Sequence, residues 1–190
     1  MISKLKLLLA LVVVFLFLNR APIPCRASTR MLHPLDIVSP AYGRVIAIEH
    51  VNETQTINIK IRLNLLSVHV QYAPINGTLL HQTHTSGKHH ALIGSLPPTT
   101  INSNENIIYI FRPTVRESET VAVRQIAGEI ARRCSSFLRT GDVVRRQQLI
   151  GRIWFGSQVE LEVSDLCAIK CKVGDEVQGG VTAIASFTDA

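Results

Sequence analysis

The sequence predicts a mainly β fold of the α+β type, a single β-rich domain of short antiparallel strands and hairpins with one N-terminal hydrophobic helix. Three observations support this prediction. Short runs of β-branched residues partly alternate with polar ones, as in half-buried strands. Asn, Gly and Pro separate these runs and predict turns. One unbroken apolar run, residues 7–18, stands near the N-terminus.

The N-terminal apolar run follows Lys4 and Lys6. Residues 7–18 are short for a spanning helix, which needs about 20 residues, but both lysines can extend it by reaching the interface. A secretory signal peptide has a similar basic start and apolar core, so that alternative stays open. We predict a membrane anchor at residues 1–20.

The rest of the chain divides into a linker and one domain. Residues 21–35 carry prolines and scattered arginines and predict a linker. Residues 36–190 are long enough for one domain with its own core. Within it we predict strands at 44–49, 56–63, 66–70, 77–81, 107–111 and 120–125, a long polar loop or flap at 82–106, and a short helix at 126–138.

Two similar phrases near the C-terminus predict a quasi-repeat of β-hairpins. G-D-V-V at residues 141–144 and G-D-E-V at 174–177 each read as a turn that opens a short strand. Similar phrases occur in small barrels that carry lipoyl or biotinyl lysines. No lysine stands in a suitable hairpin, so a carrier function is not expected.

Composition favours an anionic lipid partner over nucleic acid. The formal net charge is +6, which suits an anionic surface. Aromatic residues are few and no RNA-binding signature is present, so we expect no nucleic-acid partner. The spacing of Cys25, Cys134, Cys167 and Cys171 fits no zinc pattern, and we expect reduced thiols.

Four segments together resemble the phosphatidylserine decarboxylases, in particular their short, single-anchor form. V-S-P-A-Y-G-R-V at residues 38–45 is similar to the family's V-S-P-A-D-G-x-V, and L-S-V-H-V-Q-Y-A-P-I-N-G-T at 66–78 to L-x-V-H-V-N-R-A-P-x-x-G-T. Residues 125–133 and the stretch 150–157, which ends in F-G-S, follow in the family's order. The resemblance implies a β-rich, membrane-associated proenzyme that converts phosphatidylserine to phosphatidylethanolamine and carbon dioxide.

The step Gly156-Ser157 is where the resemblance places self-cleavage. The Ser157 hydroxyl can attack the Gly156 carbonyl, and elimination and hydrolysis then leave a β chain ending at residue 156 and an α chain, 157–190, that opens with a pyruvoyl group. Such a ketone bonds a substrate amine and accepts electrons as carbon dioxide leaves. Glycine before the serine lets the hydroxyl approach closely. Without the resemblance, Gly-Ser predicts a turn before the strand at 159–163.

The resemblance indicates His69, His84 and Glu105 as further site residues, and Arg132 is a candidate from its charge. His69 corresponds to a family histidine implicated in catalysis, and its ordinary pKa suits proton transfer near neutrality. His84 lies where the family has a turn near the substrate, Glu105 belongs to N-E-N, similar to N-E-R, and Arg132 could hold a lipid phosphate or solvate a helix end. His81, His84, His89 and His90 form an irregularly spaced cluster that no carboxylate or cysteine accompanies. Metal binding is conceivable at this density, but a polar loop is favoured and we predict no metal.

Four departures from the family patterns bear on activity. Tyr42 replaces the aspartate of S-P-A-D-G, Tyr72 the arginine of V-N-R-A-P, Asn106 the arginine of N-E-R and Gln147 a glycine. The family aspartate is thought to polarise a histidine during self-cleavage, and tyrosine supplies no such charge at neutral pH. We hypothesise that maturation is impaired and that aspartate at position 42 speeds it.

Two alternatives remain at this point. One is an uncleaved pseudoenzyme that binds anionic lipid through the same pocket, which Tyr42 and Tyr72 favour. The other is a pyruvoyl decarboxylase of a soluble amino acid, which the hydrophobic N-terminus and the His69 motif disfavour. The resemblance predicts association with a cell or inner membrane, paired α and β chains, and leaves a homo-oligomer open.

Overall fold

The computed structural model describes residues 32–64, 67–92, 98–129, 133–154 and 157–188, together with the single positions 6, 8, 9, 12, 13, 16 and 22. Within the described parts of residues 32–188 the structure has fourteen β-strands and one short helix. The strands are β1 Asp36–Val38, β2 Gly43–Val51, β3 Thr56–Leu63, β4 Val70–Tyr72, β5 Gly77–Thr85, β6 Asn106–Pro113, β7 Val121–Ala127, β8 Cys134–Ser136, β9 Val143–Val144, β10 Leu149–Ile153, β11 Ser157–Ser164, β12 Ala168–Ile169, β13 Glu176–Val177 and β14 Ala183–Ser186. The helix α1 is Pro98–Asn102.

The strands form one large and two small antiparallel sheets. The large sheet has the order β13-β2-β3-β11-β7-β6-β5-β9, and the small ones are β1-β14-β12 and β4-β10-β8. Strand β11 lies at the centre and pairs with β3 on one side and β7 on the other. The mainly β, antiparallel prediction is confirmed at this level.

The domain is an internal repeat in which one half is inserted into the other. Seven strands, β4 to β10, form one half, and β1 to β3 with β11 to β14 form the other, so the large sheet reads symmetrically outward from β11 and β7. The small sheets match residue for residue: Asp36 pairs with Ser186 as Val70 pairs with Arg152, and both pairings carry the same register shift. The inserted half lies between residue 63, where β3 ends, and residue 157, where β11 begins. The predicted cleavage site, Gly156-Ser157, therefore lies where the chain returns to the outer half.

The two Gly-Asp phrases are equivalent turns of this repeat. Gly141 has a φ of 94° and Gly174 a φ of 100°, values that glycine adopts without strain. The carboxylates that follow accept the amide hydrogens of Arg139 and Lys172, at 2.8 and 3.0 Å. The two phrases are therefore a true repeat and each opens a short strand, but the hairpin prediction is wrong, because β9 pairs with β5 and β13 with β2.

The core lies on one face of the large sheet. The odd-numbered residues of β3 point to this face and are buried, as the alternation of Ile57, Ile59 and Ile61 with polar residues dictates. Val159, Leu161 and Val163 of β11 are buried in the same way. Each such side chain contributes roughly 1.5–3 kcal/mol by leaving water. The opposite face carries Lys60, Arg62 and other polar side chains along the same strands.

Several element predictions are wrong. The described residues of 126–138 do not form the expected helix, because Ile126 and Ala127 end β7 and pair with β11, while Cys134–Ser136 form β8. The loop expected at 82–106 is shorter, since β5 extends to Thr85 and α1 lies within it. The strand expected at 66–70 begins only at Val70. Apolar spacing alone does not separate these cases from their alternatives.

The predicted N-terminal helix, anchor and linker fall mainly outside the described residues. Among the residues that the structure describes, no helix has the length and apolar character needed to cross a membrane. Three cysteines, Cys134, Cys167 and Cys171, are free thiols, in agreement with the sequence prediction.

Candidate functional site

The junction at Ser157 lies where the ends of several strands meet. Ser157 opens β11 and pairs in register with Leu63, the last residue of β3, and with Ala127, the last residue of β7. Close by, Ile153 at the end of β10 pairs with Cys134 at the start of β8. Gly156 and the side chain of Ser157 lie outside the described part of the structure, so the site is built from the strand ends around them.

Glu105 is a buried carboxylate that several donors surround. One carboxylate oxygen accepts the Cys134 amide at 3.1 Å and His84 Nε2 at 2.9 Å, and the other accepts His89 Nε2 at 3.1 Å. A carboxylate can only accept, so both imidazoles present N–H to it. Burial would raise the pKa of Glu105, but these hydrogen bonds outweigh burial and lower it, so Glu105 is a stable anion.

Backbone contacts connect Glu105 to the junction. The Glu105 carbonyl accepts the amide of Ala127 at 2.9 Å, and Ala127 is the register partner of Ser157. The neighbouring Asn104 is fully buried, and its side-chain amide donates to the Ala127 carbonyl at 2.8 Å and to the His90 carbonyl at 3.0 Å. The N-E-N segment therefore fastens the loop with His89 and His90 to the strand beside Ser157.

His69 reaches the same region from the other side. It is 4% exposed, and its carbonyl accepts the Ile153 amide at 3.0 Å and Gln71 Nε2 at 3.1 Å. Because Ile153 pairs with Cys134 and the Cys134 amide donates to Glu105, a continuous series of contacts joins His69 to Glu105.

A buried amide network fixes the backbone that carries His69. Gln125 donates to Gln71 at 2.6 Å, and the Tyr109 hydroxyl donates to Gln125 at 3.3 Å. Gly151 makes room for it, since a Cβ there would lie 2.5 Å from Gln125 Nε2 and 2.7 Å from the Tyr109 hydroxyl. Satisfied buried networks of this kind hold a segment in one position.

The structure brings together part of the predicted site. His84 and Glu105 are in contact, and the Glu105 carbonyl accepts the amide of Ala127, the register partner of Ser157. The His69 carbonyl accepts the amide of Ile153 at the end of β10. Arg132 and Gly156 fall outside the described residues. Their roles, like those of Ser157, His69, His84 and Glu105, remain predictions.

Sequence reasoning missed His89 and Cys134. His89 was assigned to a polar loop, and Cys134 to a helix, but both donate to Glu105. Burial, together with the Glu105 charge, raises the pKa of the Cys134 thiol to about 12, so it is neutral and acts through its backbone amide. No sequence signal marks the amide donor. In the described regions no group of three or more His, Cys, Asp or Glu is arranged to hold a metal ion.

The two tyrosines that depart from the family patterns are neighbours. Burial raises the pKa of Tyr72, and the adjacent Tyr42 raises it further. The Tyr72 hydroxyl donates to the carbonyl of Pro22 at 2.6 Å, so a residue of the predicted linker contacts the domain here. Asn106, a third departure, is buried and donates to the Asn104 carbonyl at 2.9 Å.

Comparison with known proteins identifies the class to which this fold and site belong. The family model described as phosphatidylserine decarboxylase matches residues 15–185. The chain belongs to the phosphatidylserine decarboxylase family, and it is an enzyme of that family by this match.

Curated relatives agree, and each carries the name phosphatidylserine decarboxylase proenzyme. The protein of Carboxydothermus hydrogenoformans is 35% identical over 93% of this chain and 80% of its own length. That of Desulfotalea psychrophila is 33% identical over 81% of the chain and 72% of its own length. That of Porphyromonas gingivalis is 27% identical over 99% of the chain and 85% of its own length.

Proposed function

We propose that the chain cleaves itself between Gly156 and Ser157 and then decarboxylates phosphatidylserine to phosphatidylethanolamine. One observation carries this proposal. Ser157 heads the central strand at the point where the insertion of one half into the other ends, and its register partner Ala127 is bound to the carbonyl of Glu105. The step to be cut therefore adjoins a cluster of titratable side chains.

The strand pairing fits a pyruvoyl group made from residue 157. Strand β11 is held by β3 over eight register pairs and by β7 over six. β13 pairs with β2, and β14 with β1, so the 157–188 segment stays bound to the rest of the domain after a cut. The pyruvoyl group supplies the carbonyl that bonds the substrate amine and takes up electrons as carbon dioxide leaves.

The surrounding residues receive distinct roles in this proposal. His69 protonates the product carbon, because a buried imidazole beside β10 can hold a proton where water has little access. Glu105 holds His84 and His89 in position, and His84, half exposed, contacts the headgroup. Arg132 remains a candidate for headgroup binding.

Membrane attachment through residues 1–20 belongs to the same proposal. An enzyme acting on a lipid gains from being held at the membrane, since the anchor raises the local concentration of substrate. We place the protein at a cell or inner membrane, and its mature form is the pair of α and β chains. Size-exclusion chromatography tests whether it forms a homo-oligomer.

A second candidate is an uncleaved pseudoenzyme that binds anionic lipid. The contact between Tyr42 and Tyr72 favours it, because neither residue carries a charge near neutral pH where the family patterns have an acid and a base. In this case the lipid binds in the same pocket, but the chain is not cleaved and the lipid is not decarboxylated.

Mass measurement of the denatured full chain tests the proposal. We expect two fragments, residues 1–156 and a 157–190 peptide that is blocked to Edman sequencing, and one intact chain for Ser157→Ala. Release of labelled carbon dioxide from carboxyl-labelled phosphatidylserine then tests the reaction, with free serine as a comparison substrate. A wild-type chain that stays intact for days with lipid present favours the pseudoenzyme, and decarboxylation of free serine alone favours a soluble substrate.

A further inference from the structure

The polar face of the large sheet forms a cavity near the start of β11, and His69, His84 and Glu105, the proposed site residues whose side chains the structure describes, do not line it. It has a volume of about 870 Å³, and its walls include Leu63, Asn64 and Gln158. Leu63 is the register partner of Ser157, and Gln158 follows it in β11. The cavity therefore reaches the end of β11 at which the proposed reacting group forms, on the sheet face that the even-numbered residues of this strand share.

Two arginines lie side by side in this cavity. Arg44 on β2 and Arg62 on β3 are direct register partners, and Arg62 is also the partner of Gln158. Like charges directly opposite each other destabilise a sheet. An arrangement of this kind is stabilised when an anion lies between the two guanidinium groups, which bind phosphate oxygens in pairs.

Most of the other charges on this face have ion-pair partners, and Arg44 itself donates from Nε to the Gly174 carbonyl at 3.1 Å. Lys60 forms an ion pair with Glu49 at 2.7 Å, and Glu160 lies 3.6 Å from Arg124. Glu176, the register partner of Arg44 on β13, is the remaining acid on the cavity wall. It makes no ion pair with Arg44 within 4.0 Å in the part of the chain that the structure describes, although its charge still opposes anion binding.

The internal repeat provides a comparison for the arginine pair. In the other half, the positions equivalent to Arg44 and Arg62 are Thr78 and Arg112, which are also register partners. The same fold is thus built with threonine at one position. Strand pairing therefore does not require an arginine at position 44. This additional arginine occurs in the half that carries Gln158.

We propose that Arg44 and Arg62 form a binding subsite for a phosphate anion, which in the proposed reaction is the phosphodiester of the substrate headgroup. This inference rests on the proposed function for its substrate. The serine headgroup holds its amine only a few bonds from the phosphate, so an anion site must lie close to residue 157. The apolar wall around Leu92 and Ile101 is available to the part of the lipid beyond the phosphate.

Binding to the uncleaved Ser157→Ala chain tests the subsite without any need for catalysis. Titration calorimetry with glycerophosphoserine is expected to show binding that weakens about tenfold or more when Arg62→Gln or Arg44→Gln is added, because each removes a charge-assisted hydrogen bond. Arg62→Lys keeps the positive charge but loses the planar guanidinium that can donate two hydrogen bonds to one phosphate. It should therefore weaken binding less. The matched control is Arg112→Gln, the equivalent position in the other half, and it should bind like its parent.

Inorganic phosphate and glycerophosphocholine distinguish the source of the anion. Glycerophosphoserine binding more tightly than inorganic phosphate supports the headgroup assignment, and equal or tighter binding of inorganic phosphate overturns it. Equal weakening by Arg112→Gln, or no weakening by Arg44→Gln and Arg62→Gln, overturns the subsite itself.

Kinetics in the cleaved wild-type background separate this inference from the proposed function. Arg44→Gln and Arg62→Gln should raise the apparent KM for phosphatidylserine about tenfold and leave the extent of self-cleavage unchanged. If the wild-type chain is not cleaved but the calorimetric losses occur, the subsite stands and the decarboxylase proposal fails. If the chain is cleaved and active but KM and binding do not change, the decarboxylase stands and the subsite fails.

Discussion

The ring of Tyr42 packs against the ring of Tyr72, with centroids 6.0 Å apart and planes tilted by 59°. Gly179 lies against both, since a Cβ there would sit 2.8 Å from Tyr72 Cδ2 and 3.0 Å from Tyr42 Cδ2. The two departures from the family patterns thus form one contact. An aspartate and an arginine at these positions would face each other as an ion pair, whereas the two rings fill this space without charge.

This contact refines the hypothesis that aspartate at position 42 speeds maturation. Tyr42→Asp alone places a carboxylate against a buried ring with no cation, which costs stability. Tyr42→Asp with Tyr72→Arg supplies both partners, so we expect the double variant to be cleaved at least about tenfold faster than wild type, an effect of the size of charge-assisted hydrogen bonds. The measurement is the fraction of cleaved chain over time by denaturing mass spectrometry.

Controls for the tyrosine pair keep the rings and remove the hydroxyls. Tyr42→Phe and Tyr72→Phe should be cleaved at the wild-type rate, because the expected gain comes from charge. Identical rates in all variants, including the double one, would show that these two positions do not govern maturation.

Glu105 should stabilise the fold in a pH-dependent way. Its pKa is lowered in the folded state, so its contribution is fully present above the unfolded value of about 4.3 and is lost as the pH falls through the folded pKa. In Glu105→Gln one carboxylate oxygen becomes an NH2 group that faces either His89 or the pair of Cys134 and His84 donors, and we expect a loss of about 1–3 kcal/mol at pH 7. Urea unfolding at pH 7 and near pH 3 measures this difference.

The exposed Glu53 provides the matched control for Glu105. Glu53→Gln should leave the unfolding midpoint unchanged at both pH values. A Glu105→Gln deficit that is equally large near pH 3 would mean that shape rather than charge holds His84 and His89 in place.

The sequence predicted the parts of the molecule that local pattern determines. Alternation in residues 56–63 indicated a half-buried strand, and the Gly-Asp phrases indicated two equivalent turns. The helix predicted at 126–138 was wrong because Ile126 and Ala127 lie in a strand that pairs with β11, about thirty residues away in the chain. No local sequence pattern indicates that pairing.

Sequence motifs predicted some of the site residues but not the contacts between them. The N-E-N segment pointed to Glu105, and the residues around His84 resembled a family turn. The donation of the Cys134 amide and the approach of His89 depend on the register of β7, β8 and β10, which the sequence does not state. The contact between Tyr42 and Tyr72 likewise follows from pairing of the two halves.

Gln147 and Gly180 test the internal repeat. They occupy equivalent turn positions with φ of 76° and 72°, and Gln147 Nε2 donates to the Gly180 carbonyl at 2.7 Å. Gly180→Ala puts a side chain in the left-handed region and should cost about 1–2 kcal/mol. Gln147→Gly relieves similar strain but loses a hydrogen bond of about 1 kcal/mol, so it should be nearly neutral.

Denaturant midpoints of the two turn variants check this expectation. A Gly180→Ala variant as stable as wild type would mean that the turn relaxes to another conformation. A large loss in Gln147→Gly would mean that the bond between the turns outweighs the backbone strain.

The buried Asp36 carboxylate should hold the two proposed chains together. Lys170, in the proposed α chain, forms an ion pair with Asp36, in the proposed β chain, and Arg146 donates to the Asp36 carbonyl at 3.0 Å. Burial would raise the pKa of Asp36, but the hydrogen bonds from Lys170 and the His33 amide, with the charges of Lys170 and Arg146, outweigh it and lower the pKa. The contribution is therefore present above the ordinary value near 3.8 and is lost as the pH falls through the folded pKa.

Lys170→Met leaves this carboxylate buried without its cation. Because Lys170 is itself 42% exposed, we expect a loss of only about 1–2 kcal/mol, less than for a fully buried pair. In cleaved protein the fragments should separate at a lower urea concentration than in wild type, as measured by sizing followed by mass analysis. Lys172→Met, an exposed neighbour, should behave like wild type, and equal effects of the two variants would assign the loss to general charge rather than to the Asp36 contact.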